Sequence, residues 1–547
     1  MRELMKEGWF GIRPYKKGFF IYLFLASIAT LVSLLRPYIT GELIDFLAVG
    51  TNEHNLYRYC LLFIAINIAL LGLGYIGALL QRSFSAQASY TVKRKMIEHI
   101  HKTTVTTIGS YDSAYLNQRI SRDSDELVQF TSSVIHGFLT QSILVILPGI
   151  ILLRLSLRIA VLLFASLMVY VGLYAATRKS LSAVVQRLND AQNLFFAAQS
   201  EHIESAKSIR THGAERFFLD RLAMSFAHML KDTLRHQRTI GAINALDNSI
   251  AMFIQVALFL FGGLAVIQGE LSVGLFTIFS SYFALMMGAA RYFFGVGASY
   301  RSAVTAYNRI KEILGWTAEN DGLTRVNEPI TKITTNNLTF SYGDRGGQLF
   351  MGSIELERGK IYAVVGENGS GKSTFLSLLI GLYSPSAGNI YFNNYQVPEI
   401  DMRSFREEKI GFVEQEGKLF NVPLIENIFL RNDLCEETNE TQLVELSTML
   451  GLEAFFDDNA KDGFTSTAGI NNSISGGERQ KIAILRALVK SPDILVFDEP
   501  TSALDTHSAQ IMLDYLQQIK SEKIVIVVSH DANVISECDE KIYFPKA

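Results

Sequence analysis

The sequence predicts a chain of two domains of different class, an all-α transmembrane domain followed by a soluble α/β domain. With 547 residues the chain is long enough for at least two folding units. Hydrophobic residues make up 49% and charged residues only 19%, which excludes a disordered chain and favours membrane insertion. The sign of the charge also differs between the two parts: residues 1–320 contain 30 Lys and Arg and 20 Asp and Glu, whereas residues 321–547 contain 20 Lys and Arg and 33 Asp and Glu. A basic, hydrophobic part joined to an acidic part fits a membrane domain with a soluble domain attached.

Six apolar segments are long enough to cross a bilayer, which takes about 20 helical residues. They cover approximately residues 18–47, 57–80, 131–153, 158–177, 249–268 and 273–297. The first segment is longer than a signal-peptide core and lacks an A-x-A cleavage site, so we expect it to be a retained helix. The transmembrane domain is expected to cover residues 1–320, followed by a linker over 321–329 and a second domain over 330–547.

The loops between the spans predict their orientation and their length. Seven Lys and Arg lie within residues 81–130 and ten within residues 178–240. By the positive-inside bias, both long loops and both termini are expected in the cytoplasm. Helical periodicity, for example at Leu181, Val184 and Leu188, predicts that the helices continue past the bilayer. Their tips either dock on a cytoplasmic domain or form a solvated helical hairpin.

A phosphate-binding loop opens the core of the second domain. Ile361–Val365 has the pattern of a buried strand and leads directly into the sequence G-x-x-x-x-G-K-S. The glycines let backbone N–H groups close around phosphates, Lys372 would contact the β and γ oxygens, and the Ser373 hydroxyl would ligate Mg²⁺. The predicted nucleotide-binding residues of this loop are Gly366, Glu367, Asn368, Gly369, Ser370, Gly371, Lys372, Ser373 and Thr374.

A second apolar strand, Ile494–Phe497, is followed by two carboxylates. Asp498 can hold the Mg²⁺ shell, and Glu499 is placed to orient or deprotonate the attacking water. Alone, such a pair is weak evidence, because solvated strand ends carry acidic residues too. Together with the phosphate loop upstream, it predicts an ATP hydrolase that uses Mg²⁺.

With these motifs in place, the chain resembles the ATP-binding cassette (ABC) transporters. Ser475, Gly476, Gly477 and Glu478 resemble the signature motif of that family, with Glu478 where glutamine is commoner. The motif opens a helix, so its N–H groups can present a positive dipole end to phosphate. The resemblance implies that this end faces the γ-phosphate of ATP bound by a partner subunit.

Four further residues match the family in order along the chain. Gln415 resembles the Q-loop glutamine near Mg²⁺ and the attacking water, and Asp505 belongs to a sequence like the D-loop. His530 resembles the switch histidine that contacts the γ-phosphate, and Tyr342 is placed where the family stacks an aromatic ring on adenine. Taken singly, a histidine or tyrosine is more often a packed residue than a ligand. Their common order favours the resemblance, which implies catalytic roles for Glu499 and His530.

The resemblance extends over the whole chain, since six spans followed by one cassette is the layout of an exporter-type half-transporter. It implies an all-α six-helix transmembrane domain followed by an α/β P-loop ATPase domain with an ABC signature subdomain. Residues 110–123 and 208–217 resemble the segments that form coupling helices, which would dock on the cassettes. The stretch Gly463–Gly469, ahead of the signature, follows the family pattern only loosely.

Because the chain carries one set of motifs, two chains are needed; a homodimer is the simplest arrangement, and a heterodimer stays open. Polar residues in spans are costly in lipid, so Asp247, Asn248 and Arg291 are candidates for a substrate cavity. Asp247 and Arg291 would either pair with each other or bind a zwitterionic substrate.

The sequence favours an ATP-driven exporter that moves a hydrophobic or amphipathic peptide, such as an antimicrobial peptide, or a drug out of the cytoplasm. The alternatives are a lipid flippase or exporter-fold importer and, with less support, a regulatory membrane ATPase. The expected cofactors are ATP and Mg²⁺, and the expected partners are a second copy, membrane lipid and the substrate, with no nucleic acid. We expect a bacterial inner or plasma membrane protein whose ATPase domain is cytoplasmic.

Overall fold

The structure, a computed structural model, describes residues 1–49, 53–155, 157–319, 322–342, 348–430, 438–453 and 474–544. The chain divides into two compact units. The first consists of Met1–His101 and Asp112–Gly315, and the second consists of Lys102–Tyr111 and Trp316–Ala547. The first unit is helical and the second contains two β-sheets, which is the fold class predicted from the sequence. The stretch Gly463–Gly469 lies outside the described residues.

Long helices dominate the first unit. In chain order its helices are α1 (Arg2–Ile12), α2 (Lys16–Ser33), α3 (Leu35–Val49), α4 (Glu53–Ile100), α6 (Ser113–Leu155), α7 (Leu157–Glu204), α8 (Ala206–Thr211), α9 (Glu215–Ile267) and α10 (Val273–Leu314). The short helix α5 (Val105–Gly109), between α4 and α6, belongs to the second unit. In the described part of the chain, five helical segments are long and apolar enough to cross a membrane. The predicted span 158–177 lies within α7, where most of the side chains are outside the described residues.

The five longest helices are too long to end at the membrane surface. They contain between 42 and 53 residues, which at 1.5 Å per residue gives lengths of about 63 to 80 Å. The hydrocarbon core of a bilayer is only about 30 Å thick. Each helix therefore continues well beyond one bilayer surface, as the periodicity of the loops predicts.

The first predicted span, residues 18–47, is two helices and not one. The helix α2 ends at Ser33 and α3 begins at Leu35. Pro37 explains the break, because it has no N–H to donate and its ring clashes with the carbonyl four residues earlier. At the break, the Leu34 carbonyl accepts a hydrogen bond of 2.9 Å from the Tyr282 hydroxyl on α10.

The loop between α4 and α6 differs from the prediction. Its short helix is α5, at residues 105–109, and the predicted segment 110–123 consists of a turn and the first residues of α6. Asp112 sets the start of α6, because its Oδ1 accepts a hydrogen bond from the Tyr115 backbone N at 3.1 Å. In the second loop, the predicted segment 208–217 covers the end of α8, a turn and the start of α9.

Two sheets form the core of the second unit. The strands are β1 (Lys332–Ser341), β2 (Gln348–Glu357), β3 (Ile361–Val365), β4 (Ala387–Phe392), β5 (Tyr395–Gln396), β6 (Ile410–Val413), β7 (Ile494–Asp498), β8 (Ile524–Val528) and β9 (Glu540–Tyr543). An antiparallel sheet has the order β2-β1-β4-β5, and a parallel sheet has the order β6-β7-β8-β3-β9. The helices are α11 (Lys372–Leu379), α12 (Met402–Glu408), α13 (Leu424–Phe429), α14 (Thr438–Met449), α15 (Gly476–Leu488), α16 (Thr506–Ile519) and α17 (Ala532–Ser536).

The parallel sheet is buried on both faces. In β3, Ile361 and Ala363 point into one hydrophobic cluster, whereas Tyr362 and Val364 point into another on the opposite face. Continuously apolar strands are typical of a parallel sheet covered on both sides. Polar functional groups are therefore confined to the loops at the carboxyl ends of the strands, where ligands of such folds bind.

Candidate functional site

The phosphate loop joins β3 to α11 in the predicted strand–loop–helix context. Gly369 and Gly371 have φ values of +85° and +96°, which residues with a Cβ rarely adopt. Lys372 is only 7% exposed, and its Nζ donates hydrogen bonds to the carbonyls of Gly366 at 2.8 Å and Glu367 at 2.9 Å. The ammonium group is thus held inside the curve of the loop.

The other side chains of the phosphate loop differ in their exposure to solvent. Glu367 and Asn368 are exposed at the rim, while Ser370 is buried and its Oγ has no hydrogen-bond partner. A buried hydroxyl without a partner carries a desolvation cost that a phosphate oxygen would remove. The Ser373 hydroxyl, at the start of α11, donates a hydrogen bond to Asp498 at the end of β7.

Tyr342 lies beside the start of α11. Its hydroxyl is 2.7 Å from the Thr374 Oγ1, and its ring packs edge-on against Phe340 and Tyr383. The side chain is nevertheless 53% exposed. An aromatic ring that is fixed on one side and open on the other is suited to stacking on a base.

Three polar side chains meet at one edge of the parallel sheet. Gln415, Glu499 and His530 follow β6, β7 and β8, which are neighbours in the sheet. The Gln415 Nε2 donates to the Glu499 Oε2 at 3.0 Å, and the His530 Nε2 lies 3.5 Å from the Glu499 Oε1. Glu499 has a φ of +47°, and its backbone N donates to the Val528 carbonyl at 3.0 Å. This turn holds the carboxylate between the other two side chains.

Asp498 precedes Glu499 and is 8% exposed. Burial raises the pKa of the Asp498 carboxyl, whereas the hydrogen bond from Ser373 and the charge of Lys372 favour its ionised form. A buried carboxylate beside a serine hydroxyl provides hard oxygen donors of the kind that Mg²⁺ prefers. The residues present therefore fit a Mg²⁺ site at the end of β7.

The signature residues form the N-terminus of α15. Ser475 caps the helix and Gly476 is its first residue; the Glu478 backbone N donates to the Ser475 Oγ at 3.3 Å. In return, the Ser475 N and Oγ each donate to the Glu478 Oε2 at 2.7 Å. These bonds lower the pKa of Glu478. Glutamate at this position therefore completes a capping box.

The signature lies beside the D-loop of its own chain. A Cβ added to Gly477 would come within 2.9 Å of the Ala503 carbonyl oxygen. Asp505 caps α16, since its Oδ1 accepts from the Ser508 N at 2.8 Å, and this hydrogen bond lowers the pKa of Asp505. Among the described contacts, Ser475 bonds with Glu478 and not with the phosphate loop. Its exposed side chain is open to a partner.

Gln480, for which we predicted no role, contacts the loop that carries Gln415. It is 1% exposed; its Nε2 donates to the Glu414 carbonyl at 3.3 Å, and its Oε1 accepts from the Gly417 N at 3.3 Å. These two bonds bracket Gln415. The available signal was a polar side chain within the buried, apolar face of α15. Gln480 therefore fixes the loop that presents Gln415 to Glu499.

We predict that Gln480→Leu lowers the kcat of ATP hydrolysis about tenfold, with the KM for ATP within about twofold. Each of the two lost hydrogen bonds contributes about 0.5–1.5 kcal/mol, so the Gln415 loop should rearrange. The matched control is Gln510→Leu, since Gln510 is exposed on α16 and bonds only with Asp514 among the described contacts. Steady-state kinetics of both variants check this. An unchanged kcat in Gln480→Leu would remove the positioning role.

In the first unit, Asp247 and Arg291 form an ion pair between α9 and α10. The Arg291 Nε lies 2.9 Å from the Asp247 Oδ2; the side chains are 43% and 22% exposed, respectively. The Asp247 Oδ1 is buried and has no hydrogen-bond partner. Asn248 is exposed next to Asp247. Of the two roles expected from the sequence, pairing is thus present, and a hydrogen-bond acceptor beside it is still unused.

A helical membrane domain fused to a P-loop ATPase defines the class of ATP-driven membrane transporters. Two family models match the chain, "ABC transporter transmembrane region" over residues 19–290 and "ABC transporter" over residues 351–502. The chain belongs to the ABC transporter family as an exporter-type half-transporter, and it is an ATP-hydrolysing membrane protein.

Similar proteins cover nearly the full length of the chain. An ATP-dependent lipid A-core flippase from Vibrio parahaemolyticus is 24% identical over 98% of this chain and 92% of its own. A putative export ATP-binding/permease protein from Rickettsia bellii is 25% identical over 98% of this chain and 93% of its own. The structure of a bacterial Atm1-family ABC exporter with ATP bound has a TM-score of 0.81 at 20% identity, covering 98% of this chain and 94% of that one.

Proposed function

We propose that two copies of this chain form a transporter that uses ATP to move an amphipathic lipid with a charged head group out of the cytoplasmic leaflet. The observation that carries this proposal is the ion pair of Arg291 with Asp247, in which the second Asp247 oxygen is buried without a partner. The sequence favours a peptide or a drug as the substrate, and a lipid is the alternative that it leaves open.

The position of the pair along its helices suits a lipid head group. Arg291 lies eighteen residues after the start of α10 at Val273, and Asp247 lies twenty residues before the end of α9 at Ile267. At 1.5 Å per residue these separations are about 27 and 30 Å, close to the bilayer core thickness of about 30 Å. Since a short turn joins α9 to α10, the pair belongs at the opposite interface, at the depth of lipid head groups.

The chemistry of the pair suits a head group with both charges. The Arg291 guanidinium can bind a phosphate or carboxylate, and the free Asp247 oxygen can accept a hydrogen bond from an ammonium or hydroxyl group. Ionisable groups in membrane helices often mark substrate pathways. Several relatives are named lipid A-core flippases, which agrees with a lipid substrate.

A hydrophobic peptide or drug has less support. Aromatic residues of the sixth predicted span, 273–297, would suit such a guest only if they lined a cavity. Tyr282 and Phe283 are buried in the hydrophobic cluster around α10, and the Tyr282 hydroxyl bonds with Leu34. The Tyr292 hydroxyl likewise donates to the Ser133 carbonyl at 2.7 Å. These rings therefore serve packing between helices in the described part of the membrane unit.

The ATPase residues are proposed to act as follows. Lys372 and the loop N–H groups bind the β- and γ-phosphates, and Ser373 and Asp498 would hold Mg²⁺ near Gln415. Bound Mg²⁺ neutralises charge on the phosphate oxygens. Glu499 accepts a proton from the attacking water, which Gln415 and His530 help to orient. Tyr342 stacks on adenine.

Dimer formation completes this site. The segment of Ser475, Gly476, Gly477 and Glu478 at the start of α15, whose first two residues are exposed, would cover the γ-phosphate bound by the other copy, close to Asp505. Two ATP molecules would then clamp the ATPase domains together and turn the membrane cavity outward, and hydrolysis would reverse this. We propose a bacterial inner membrane location with both termini in the cytoplasm.

Stimulation of ATP hydrolysis tests the substrate class. In nanodiscs of a neutral lipid, a lipid with phosphate and amine groups is expected to stimulate hydrolysis at least threefold, and hydrophobic peptides and drugs are not. Arg291→Ala should reduce this stimulation at least about fivefold and leave basal hydrolysis within twofold, because the guanidinium contacts substrate and not ATP. Phosphate release across a panel of lipids, peptides and drugs measures both quantities.

Arg154→Ala is the matched control, because Arg154 is an exposed arginine at the end of α6, in the turn expected on the outer side. It should respond to lipid as the natural chain does. Stimulation by a peptide or drug alone would replace the lipid proposal with the substrate class that the sequence favoured. Equal lipid stimulation in Arg291→Ala would remove Arg291 from the substrate site.

A further inference from the structure

The carboxyl end of the phosphate-loop helix α11 is held by an arginine from α12. The Arg406 Nη1 donates to the carbonyls of Ile380 at 3.4 Å and Gly381 at 3.1 Å, which directly follow the helix. The end of a helix carries partial negative charge, so a guanidinium is well placed there. A displacement of α11 along its axis on ATP binding would therefore change the hydrogen bonds that Arg406 makes at the end of this helix.

Arg406 also holds the segment that precedes the ATPase domain. Its Nη2 donates to the Glu319 Oε2 at 2.8 Å, and the two side chains are 25% and 15% exposed. A partly buried, charge-assisted bond of this length is stronger than an exposed ion pair. The segment after α10 is thus tied to the same guanidinium as the end of α11.

The loop between α4 and α6 is attached to this segment in turn. The Glu319 N donates to the Lys102 carbonyl at 2.7 Å, and Thr103 and Ala318 form an antiparallel β-bridge. The Trp316 ring stacks on Tyr111, with centroids 4.8 Å apart. Residues 102–111 accordingly group with the ATPase unit, although the chain leads from them into α4 and α6.

We propose that Arg406 and Glu319 are positioning residues that transmit the nucleotide state of the phosphate loop to the α4–α6 loop of the same chain. The route runs from α11 through Arg406 to Glu319, and from there through the paired backbone and the Trp316–Tyr111 stack. It acts within one chain, and it needs neither a docking contact from a partner nor a particular substrate. The inference rests on ATP binding by the chain and not on the proposed lipid substrate.

The sequence offers a direct probe of this route. The chain contains two tryptophans, Trp9 in α1 and Trp316 in the route itself. In a Trp9→Phe background, tryptophan emission therefore reports on Trp316 alone. With ATP and Mg²⁺, at low temperature to slow hydrolysis, the emission of the purified full-length protein is expected to change with a midpoint equal to the ATP dissociation constant.

Glu319→Gln in that background is the test. It leaves Arg406 able to hold the end of α11, so the dissociation constant and the basal kcat and KM should stay within twofold. The ATP-dependent change in Trp316 emission should fall at least fivefold. Glu319→Asp, which keeps the charge, should restore part of the change. The emission maximum without ATP should be the same in all variants, showing an intact fold around Trp316.

Glu355→Gln is the matched control, since it removes an exposed ion pair with Lys332 elsewhere in the same unit, and it should keep the full emission change. An unchanged ATP response in Glu319→Gln, or none in the Trp9→Phe parent, would overturn the proposal. Parallel loss of ATP binding and emission change would also overturn it, because the pair would then support the ATP site itself. A failure of lipid stimulation would leave these readouts untouched.

Discussion

Glu499→Gln is expected to lower ATP hydrolysis at least about 100-fold, because a positioned general base contributes about 10² to 10⁴ in rate. The carboxylate lies 3.0 Å from the Gln415 Nε2 and 3.5 Å from the His530 Nε2, at the edge of the sheet where the phosphate loop begins. An amide keeps the size of the side chain and loses the ability to take a proton. Phosphate release from purified protein in lipid nanodiscs measures the effect.

The same variant should still bind ATP, since Glu499 does not hold the phosphates. We expect it to retain ATP after washing and to accumulate in the nucleotide-bound, closed dimer. Glu445→Gln is the control, because Glu445 is an exposed carboxylate on α14, and its hydrolysis should equal that of the natural chain. Normal turnover in Glu499→Gln would mean that another group activates the water, and it would contradict the role proposed for Glu499.

The parts of the site that the sequence predicts well are those with local signals. The strand β3 occupies residues 361–365 and β8 occupies residues 524–528, as their apolar runs indicate. The phosphate loop follows because glycine spacing, strand and helix are continuous in sequence. Gln415, Glu499 and His530 each follow a strand, so a parallel sheet places them on one edge; only the strand order β6-β7-β8 makes them neighbours.

Contacts between residues that are far apart in the sequence are not predicted by local patterns. Arg406 and Glu319 are 87 residues apart, and neither lies in a motif or a periodic pattern. Pro37 causes the interruption at Leu34. The same proline is also compatible with one unbroken apolar span, so the sequence does not predict the break. Asp247 and Arg291 were candidates for either pairing or binding, because charge and depth do not show which helix faces meet.

Lys372→Ala is expected to weaken ATP binding by about 10- to 100-fold. A hydrogen bond to a charged group contributes about 1.5–3 kcal/mol, and each 1.4 kcal/mol is tenfold in affinity. The loss has two parts, since the ammonium is proposed to bind the phosphates and also bonds to the Gly366 and Glu367 carbonyls. Without it, the loop loses both its ligand contact and the bonds that close it. Titration with a fluorescent ATP analogue measures the dissociation constant.

Lys360→Ala separates the role of Lys372 from a general effect of charge. Lys360 precedes β3 in the same unit, but it is exposed and pairs with Glu357 and Glu540. Exposed ion pairs contribute about 0–1 kcal/mol, so this variant should bind ATP as the natural chain does. Thermal unfolding with and without ATP gives a second readout: ATP should raise the Tm of Lys360→Ala and leave that of Lys372→Ala nearly unchanged. Equal stabilisation of both by ATP would mean that the backbone of the loop binds the phosphates without the buried ammonium.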